Sequence, residues 1–343
     1  HALTSMCQGG IYDHIGGGFC RYAVDAEWLV PHFEKMLYDN ALFINLMSEV
    51  YRETKNALFE MRIRETVEWL KREMMIGTAF ASSLDADSID THGHLEEGAY
   101  YVWSAAEIDE VLTGDAHYFA EHYDISTPGN WEGKNIPNRL RRPGLQKPAE
   151  EKRLAELRAR LAARRRGRIA PARDDKILAD WNGLLIAALA RAAFALDVPE
   201  YLVLAKDAFS FITRSMMDKD SRLHHVFCNG RVAHAATLDD YANLCDAALA
   251  LFAVTGDQAY MQQAKTWVAI TQQDFWDSEN KGFFLSTVAQ DLLVRPKTAD
   301  DTATPAGNGT MVSVLARLSV YTGEQHYALR AAETAKCFSG DLM

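Results

Sequence analysis

The stretch NGLLIAALARAAFALDVPEY, residues 182–201, decides the fold. It opens with Asn182, runs about 14 residues that are small or apolar nearly all round, and breaks at a short polar turn. It then restarts at the aromatic Tyr201. A helix without a polar face is a buried helix. The next segment, LVLAKDAFSFITRSMM from 202, carries its charges on one side and reads as an outer, amphipathic helix. Three further stretches repeat this pattern: NALFINLMSEVYRETKNALF from Asn40, NLCDAALALFAVTGDQAY from Asn243 and NGTMVSVLARLSVYTGEQHY from Asn308. Their second helices restart at Phe59, Tyr260 and Tyr327. A single helical hairpin cannot bury its inner helix, so the hairpins must stack or close on themselves. Apolar inner helices ringed by amphipathic outer ones predict an all-α fold, an (α/α) toroid, with short β excursions in the loops.

The connections are long and strand-like or glycine-rich: GGIYDHIGGGFCRYAVD (9–25), AYYVW (99–103), SRLHHVFCNGRVAHAATLDD (221–240) and KGFFLSTVAQDLLVRP (281–296). In a toroid they gather over the N-terminal ends of the inner helices, where a rigid scaffold usually carries its chemistry. The whole chain, 1–343, is expected to be one toroid domain with a basic helical insertion at about 139–173. That insertion holds 13 Lys/Arg against 3 Asp/Glu, leaving 23 against 44 elsewhere. It reads either as an anion- or partner-binding helix or as a solvated helix lying against an acidic body.

Composition excludes several classes. The 343 residues are 48% hydrophobic and 24% charged, as in a soluble globular protein. No run of about 18 apolar residues marks a membrane span, and a net charge of −11 argues against a general nucleic-acid binder. Cys7, Cys20, Cys228, Cys245 and Cys337 are scattered, which fits a reducing compartment. A cytoplasmic location is expected. Asp85 to Glu96 has the outer spacing of a calcium loop, but it has Ile89 at the fifth position and Asp90 where glycine is required. His92, His94, Glu96 and Glu97 make a weak metal pattern, and no metal or cofactor is expected. Gly16–Gly18 is no dinucleotide fingerprint, and serine-hydrolase, zincin and P-loop motifs do not occur.

The starts of the inner helices are acidic and aromatic. They hold His32, Glu34, Tyr38, Asp39 and Asn40; then Asp174, Asp175, Trp181 and Asn182; then Asp239, Asp240 and Tyr241; then Asp300, Asp301 and Asn308. Helix capping explains one acid at each helix. Doubled acids at three helices also suit a shared cleft, where proximity pushes carboxyl pKa values apart. Aromatic rings with carboxylates and amides would suit a sugar. Asp13-His14 and His32-x-Glu34 are histidine–carboxylate neighbours of the kind used in general base catalysis.

The run GGIYDHIGGGFCRYAVDAEWLVPHFEKMLYDNA (9–41) resembles the thioredoxin-domain-containing family typified by bacterial YyaL and animal spermatogenesis-associated protein 20. SLDADS (83–88), EEGAYYVW (96–103), DDKILADWNGLLIAALA (174–190), LDDYANL (238–244) and DDTATPAGN (300–308) come after it in the family's order. The resemblance implies a six-hairpin glycosidase-like (α/α)6 fold, similar to N-acylglucosamine and cellobiose 2-epimerases and, more distantly, to inverting glycoside hydrolases. It also implies a thioredoxin-like domain ahead of this region as a partner, and a toroid truncated at both ends.

Two functions are expected from different classes. The first is a carbohydrate-active enzyme on a sugar or N-acyl sugar. An epimerase or isomerase would use His32 and His14, supported by Glu34, Asp13 or Asp175. An inverting hydrolase would use Asp175 and Asp240 across a water. Trp181 and Tyr241 would line the sugar, Asn182 would bind a hydroxyl, and Tyr38, Asp39, Asn40, Asp174, Asp239 and Asn308 would complete the binding set. The second is a non-catalytic glycan- or protein-binding module serving the thioredoxin-like domain. The expected partners are a small sugar or that domain, with neither nucleic acid nor membrane.

Overall fold

A computed structural model describes residues 1–90, 92–288 and 293–340. The middle of the connection 281–296 lies outside the described residues. The helices are α1 (Ala2–Gln8), α2 (Leu37–Thr54), α3 (Ala57–Trp69), α4 (Ala105–Leu112), α5 (Ala116–Tyr123), α6 (Pro148–Arg165), α7 (Ala179–Leu196), α8 (Pro199–Ser215), α9 (Leu238–Thr255), α10 (Gln258–Asp274), α11 (Gly307–Thr322) and α12 (Gln325–Cys337). They fall into two compact units, His1–Met75 with Ser83–Asp174, and Ile76–Ser82 with the residues from Asp175 onward.

The expected hairpins are present as α2–α3, α7–α8, α9–α10 and α11–α12. Each inner helix stops at one residue in the left-handed conformation: Lys55, Asp197, Gly256 and Gly323. In the second unit α9 packs between α7 and α11. Gly183 permits the α7 approach, since a Cβ there would lie 2.9 Å from the backbone carbon of Asn243. Asp246 on α9 ties the three inner helices through Arg191 of α7, at 2.7 Å, and Arg317 of α11. By length and composition alone α7 is long and apolar enough to cross a membrane, and most of it is buried inside its unit, as the core helix of a globular fold is.

Small antiparallel sheets dress the connections. In the first unit β1 (Tyr22–Ala23) pairs with β2 (Pro31–His32). There β3 (Lys35–Met36) also lies beside strand Ser83–Leu84, which is β6 after the two-residue β4 (Met75–Ile76) and β5 (Ala79–Phe80). The hairpin β7 (Asp87–Ile89)–β8 (Leu95–Glu97) comes next, and β9 (Arg173–Asp174) adds to β6. In the second unit β10 (Ile177–Leu178), β11 (His224–Cys228) and β12 (Arg231–Ala235) form one sheet.

A repeated device fixes each loop to its inner helix. Asn40 accepts the Phe19 N–H at 2.7 Å and donates to the Phe19 carbonyl at 3.0 Å. Asn182 does the same to Phe80, at 3.0 and 3.0 Å, and Asn308 to Phe283, at 2.8 and 2.9 Å. A second element recurs: Lys35 joins Asp13 to the Gly17 carbonyl, as Lys297 joins Asp277 to the Lys281 carbonyl. The α9 hairpin departs from this pattern. There the Tyr241 hydroxyl takes the Leu223 N–H at 3.0 Å, and the buried Asn243 amide has no partner among the described residues.

The basic insertion is an internal lock. Leu154, Leu157 and Leu161 of α6 pack with Ile108, Leu112 and Phe119 of α4 and α5. Arg158 meets Glu65 at 2.6 Å, Arg165 meets Asp13 at 2.9 Å, and Arg168 meets Glu107 at 3.1 Å. The inward arginines of this segment are therefore spent on ion pairs inside the first unit.

Candidate functional site

The β11–β12 hairpin extends the connection before α9, and it brings a histidine onto the start of that helix. His225 Nδ1 lies 2.9 and 3.0 Å from the two Asp240 oxygens. Asp240 is fully buried at the third position of α9, where it forms a capping box with Thr237. It also accepts the backbone N–H of Asp180 at 3.0 Å. Asp180 stands in the first turn of α7, almost buried, and accepts the Trp181 N–H at 2.8 Å. One donor atom from each of Asp180, His225 and Asp240 lies within 4.8 Å of the others.

The environment separates their proton affinities. Burial and the neighbouring Asp240 charge raise the Asp180 carboxyl to about 7, against a weaker pull from His225. The hydrogen bond to Asp240 raises the half-buried His225 imidazole to about 9, against desolvation. Asp240 fixes the ring through Nδ1, which leaves Nε2 as the other nitrogen for chemistry. The arrangement therefore pairs a carboxyl that ionises near neutrality with a held imidazolium.

Toward α11, Asp239 accepts the Gly307 N–H at 2.8 Å. Burial and Asp240 raise its carboxyl pKa. Asp239, Asn308 and the Thr298–Gly307 connection line a cavity of about 190 Å³.

The nominated residues divide sharply. In the second unit Asp240 and Asp239 stand in or beside the centre. The carboxyl group beside Asp240 is that of Asp180; Asp175 is exposed between β9 and β10, ahead of the helix. Trp181 is half-buried next to Asp180. Tyr241 is buried, bonded to the loop through its hydroxyl and edge-on to Phe275. Asn182, expected to bind a hydroxyl, and Asn308, expected in the binding set, spend their amides on the loop clasps, as Asn40 does in the first unit.

In the first unit His14 is no accessible base. Its ring is buried against the Gln8 and Gly9 carbonyls and the Arg62 guanidinium, and burial with the charges of Arg62, Arg139 and Arg158 holds its pKa well below the usual imidazole range. Asp13 is equally structural. Burial alone would raise its pKa, but Arg165 and Lys35 outweigh that and hold it well below the carboxylate range. Asp174 belongs to β9 opposite Ser83.

His32 lies between Glu97, at 2.7 Å, and Glu34, at 3.2 Å, and stacks on the exposed Tyr22. Arg21 meets Glu34 at 3.2 Å and lies against the Tyr38 hydroxyl. Asp39 sits below with one carboxyl oxygen buried and unpartnered among the described residues. Burial pushes it up to about 7 against the pull of Arg21, with a smaller push from Glu34. This group is polar and reachable.

Sequence reasoning missed His225 and passed over Asp180. For His225 the signal was strand alternation in HHVFC: adjacent residues face opposite sides, so one of His224 and His225 had to face inward. Among the described residues Asp180, His225 and Asp240 also form the one group with metal-ligand spacing. As it stands, Nδ1 and both Asp240 oxygens are occupied by hydrogen bonds. His92 and His94, whose rings are 6.5 Å apart on the β7–β8 turn, do not join that group.

No protein-family model matches the chain. Human spermatogenesis-associated protein 20 is 29% identical over 367 residues, which cover 95% of this chain and 47% of the human protein. An uncharacterised protein of Caenorhabditis elegans is 30% identical over 374 residues, covering 98% of this chain and 51% of its own. The chain is a homologue of spermatogenesis-associated protein 20. It spans about half the length of the curated relatives it matches.

Solved structures agree on the architecture. Cellobiose 2-epimerase from Spirochaeta thermophila superposes with a TM-score of 0.58 at 13% identity, over 96% of this chain and 66% of that one. A family 76 α-mannanase from Bacteroides thetaiotaomicron gives 0.51 at 13% identity, over 89% and 61%. The fold is that of the (α/α)6 toroids, as the hairpin pattern and the family resemblance predict.

Proposed function

We propose that the chain is a proton-transfer enzyme acting on a reducing sugar, an aldose–ketose isomerase centred on Asp180, His225 and Asp240. One observation carries this reading: a carboxyl raised to about 7 beside an imidazole raised to about 9 and oriented by a third, buried carboxylate. Pairs pushed apart in this way assign the base and the acid. The Asp180 carboxylate takes the proton from C2 of the open-chain aldose. The C–H electron pair becomes the C1–C2 double bond, and His225 Nε2 gives its proton to the carbonyl oxygen. The enediol then collapses: His225 Nε2 takes back a proton from the C2 hydroxyl as the C2 carbonyl forms, and the C1–C2 electron pair takes the proton from Asp180 onto C1. One centre returns the proton to one face, which suits isomerisation; epimerisation needs a base on each face, and the buried His14 does not supply one.

The spacing speaks against the hydrolase reading for this pair. The Asp180 and Asp240 donor atoms lie within 4.8 Å, whereas an inverting hydrolase separates its carboxyl groups by roughly 6.5–9.5 Å to admit water. The binding-module reading draws support from the first unit, where the acid of the Gly16–Gly18 loop is tied to backbone amides, Lys35 and Arg165.

Proton NMR in D₂O with a panel of aldoses and ketoses tests the reading. Loss of the C2 proton signal with appearance of the ketose is expected, abolished in Asp180→Asn and His225→Gln. Absence of exchange across the panel would transfer support to the binding module.

A further inference from the structure

The motif DDTATPAGN (300–308) plays no part in the proton centre, yet it builds the cavity next to it. Its walls are Asp239, Asp300, Thr298, Thr302 and Thr304, with Leu238, Leu285 and Pro305 as the apolar side. The loop is held in shape from within: Asp301 accepts the Ala306 N–H at 2.9 Å, and Thr302 donates its N–H to the Thr304 carbonyl at 3.1 Å. Asp239 Oδ1 is tied to Gly307, and among the described residues Asp239 Oδ2 has no hydrogen-bond partner. Among the described residues, the side chains free to meet a ligand in the cavity are thus two carboxylates and three hydroxyls, with no Lys or Arg. Asn308 adds nothing further, because its amide is spent on Phe283 and Thr298.

We propose that Asp239 and the 298–307 connection form a subsite for the non-reacting part of the sugar, taking an uncharged or amine-bearing polyol and rejecting phosphorylated and carboxylated ones. The chemistry is donor–acceptor matching. Carboxylates accept from hydroxyl and ammonium groups. A phosphate or uronate would place like charges together in a confined space and meet no cation. The apolar side offers Leu238, Leu285 and Pro305 to the C–H face of a ring. Asp239 and Asp240 are consecutive, so a sugar held by the first is delivered next to the centre organised by the second. This inference rests on the reading of that centre as sugar-active, but it concerns binding and is tested by binding.

Saturation-transfer NMR of this chain with glucose, glucosamine, glucose 6-phosphate and glucuronate, one at a time and then in competition, decides it. Glucose and glucosamine are expected to receive saturation, glucosamine more strongly, and the two anionic sugars none. Loss of a charged acceptor weakens a hydrogen bond by about tenfold or more. Asp239→Asn is expected to remove the glucosamine preference by that factor. Asp300→Asn, at an exposed position, should reduce it without touching the helix contact. Equal saturation of the anionic sugars, no saturation of any sugar, or an undiminished glucosamine preference in both variants would overturn the subsite. Proton exchange without this binding pattern would leave the isomerase reading standing and the subsite refuted. The binding pattern without exchange would do the reverse.

Discussion

Asp240 accepts the backbone N–H of Asp180 at 3.0 Å, so one carboxylate joins the first turns of α7 and α9 and holds the His225 ring as well. This couples the site to the scaffold. Asp240 is committed by capping, by the inter-helix bond and by His225, and it cannot itself exchange protons without loosening all three. The departure of the α9 hairpin from the clasp pattern therefore coincides with the place where titratable groups meet. Local breaks in an otherwise consistent fold are where function is expected to lie.

The two shifted groups make stability fall as pH rises. His225 is held above its ordinary 6.5, at about 9, so its contribution is complete below about 6.5 and lost as pH passes about 9. Asp180 is raised from 3.8 to about 7, so its contribution is complete below 3.8 and lost in a lower window, as pH rises through about 7. Thermal midpoints of the parent chain should therefore drop between about pH 6.5 and about 9. His225→Gln should flatten that window and leave the lower one. Parallel curves for the two proteins would show that the Asp240–His225 pair is not held in the folded state.

Asp13→Asn should be among the most damaging substitutions in the first unit. It leaves Lys35 and Arg165, both almost fully buried, without a counter-charge. Breaking such a buried pair costs about 3–5 kcal/mol. Urea unfolding measures it, and Asp13→Asn combined with Arg165→Met should recover part of the loss. Because the Asp13 pKa is depressed, its contribution is present above 3.8 and fades as pH falls further. A cost below about 1 kcal/mol would contradict the lock.

Gly307 and Gly309 stand two residues apart on α11 and should respond oppositely to alanine. A Cβ on Gly307 would lie 2.3 Å from Asp239 Oδ1 and 2.9 Å from Leu238, so the helix start must shift. Such overpacking costs about 1–3 kcal/mol, and it should also weaken sugar saturation at the Asp239 cavity. A Cβ on Gly309 meets nothing within 4 Å. There alanine removes chain entropy and should stabilise by about 0.5–1 kcal/mol. Denaturant midpoints of the two variants compare the effects directly, and equal shifts would deny the α9–α11 contact.

Much of this was legible in the chain because burial writes itself into helices. The inner helices lack a polar face, so NGLLIAALARAAFAL announces its place without any structure. The site was harder, for two physical reasons. Asp174-Asp175 and Asp239-Asp240 look alike in sequence, but β10 intervenes after the first pair, so α7 starts at Ala179 and its first-turn acid is Asp180. α9 starts at Leu238, directly before the second pair. Asp13-His14 looked like a dyad because sequence shows proximity along the chain and hides the cations that arrive from Lys35 and from Arg165, 152 residues away.

The repeated asparagines give the sharpest test, because one repeat carries two different roles. Asn182 holds the Phe80 N–H and carbonyl and the Leu178 carbonyl, all away from water. Asn182→Leu keeps the volume but strands those backbone groups, at about 1–3 kcal/mol for each group left unsatisfied. Asn243 begins the equivalent stretch, yet Tyr241 has taken over its loop bond, and its own amide is buried without a partner among the described residues. Asn243→Leu removes polar atoms from an apolar seam and should be within about 1 kcal/mol of the parent or more stable. Chemical unfolding of both variants separates the cases. If they lose stability equally, the α9 hairpin keeps the clasp pattern after all, and His225 does not owe its place to a departure from it.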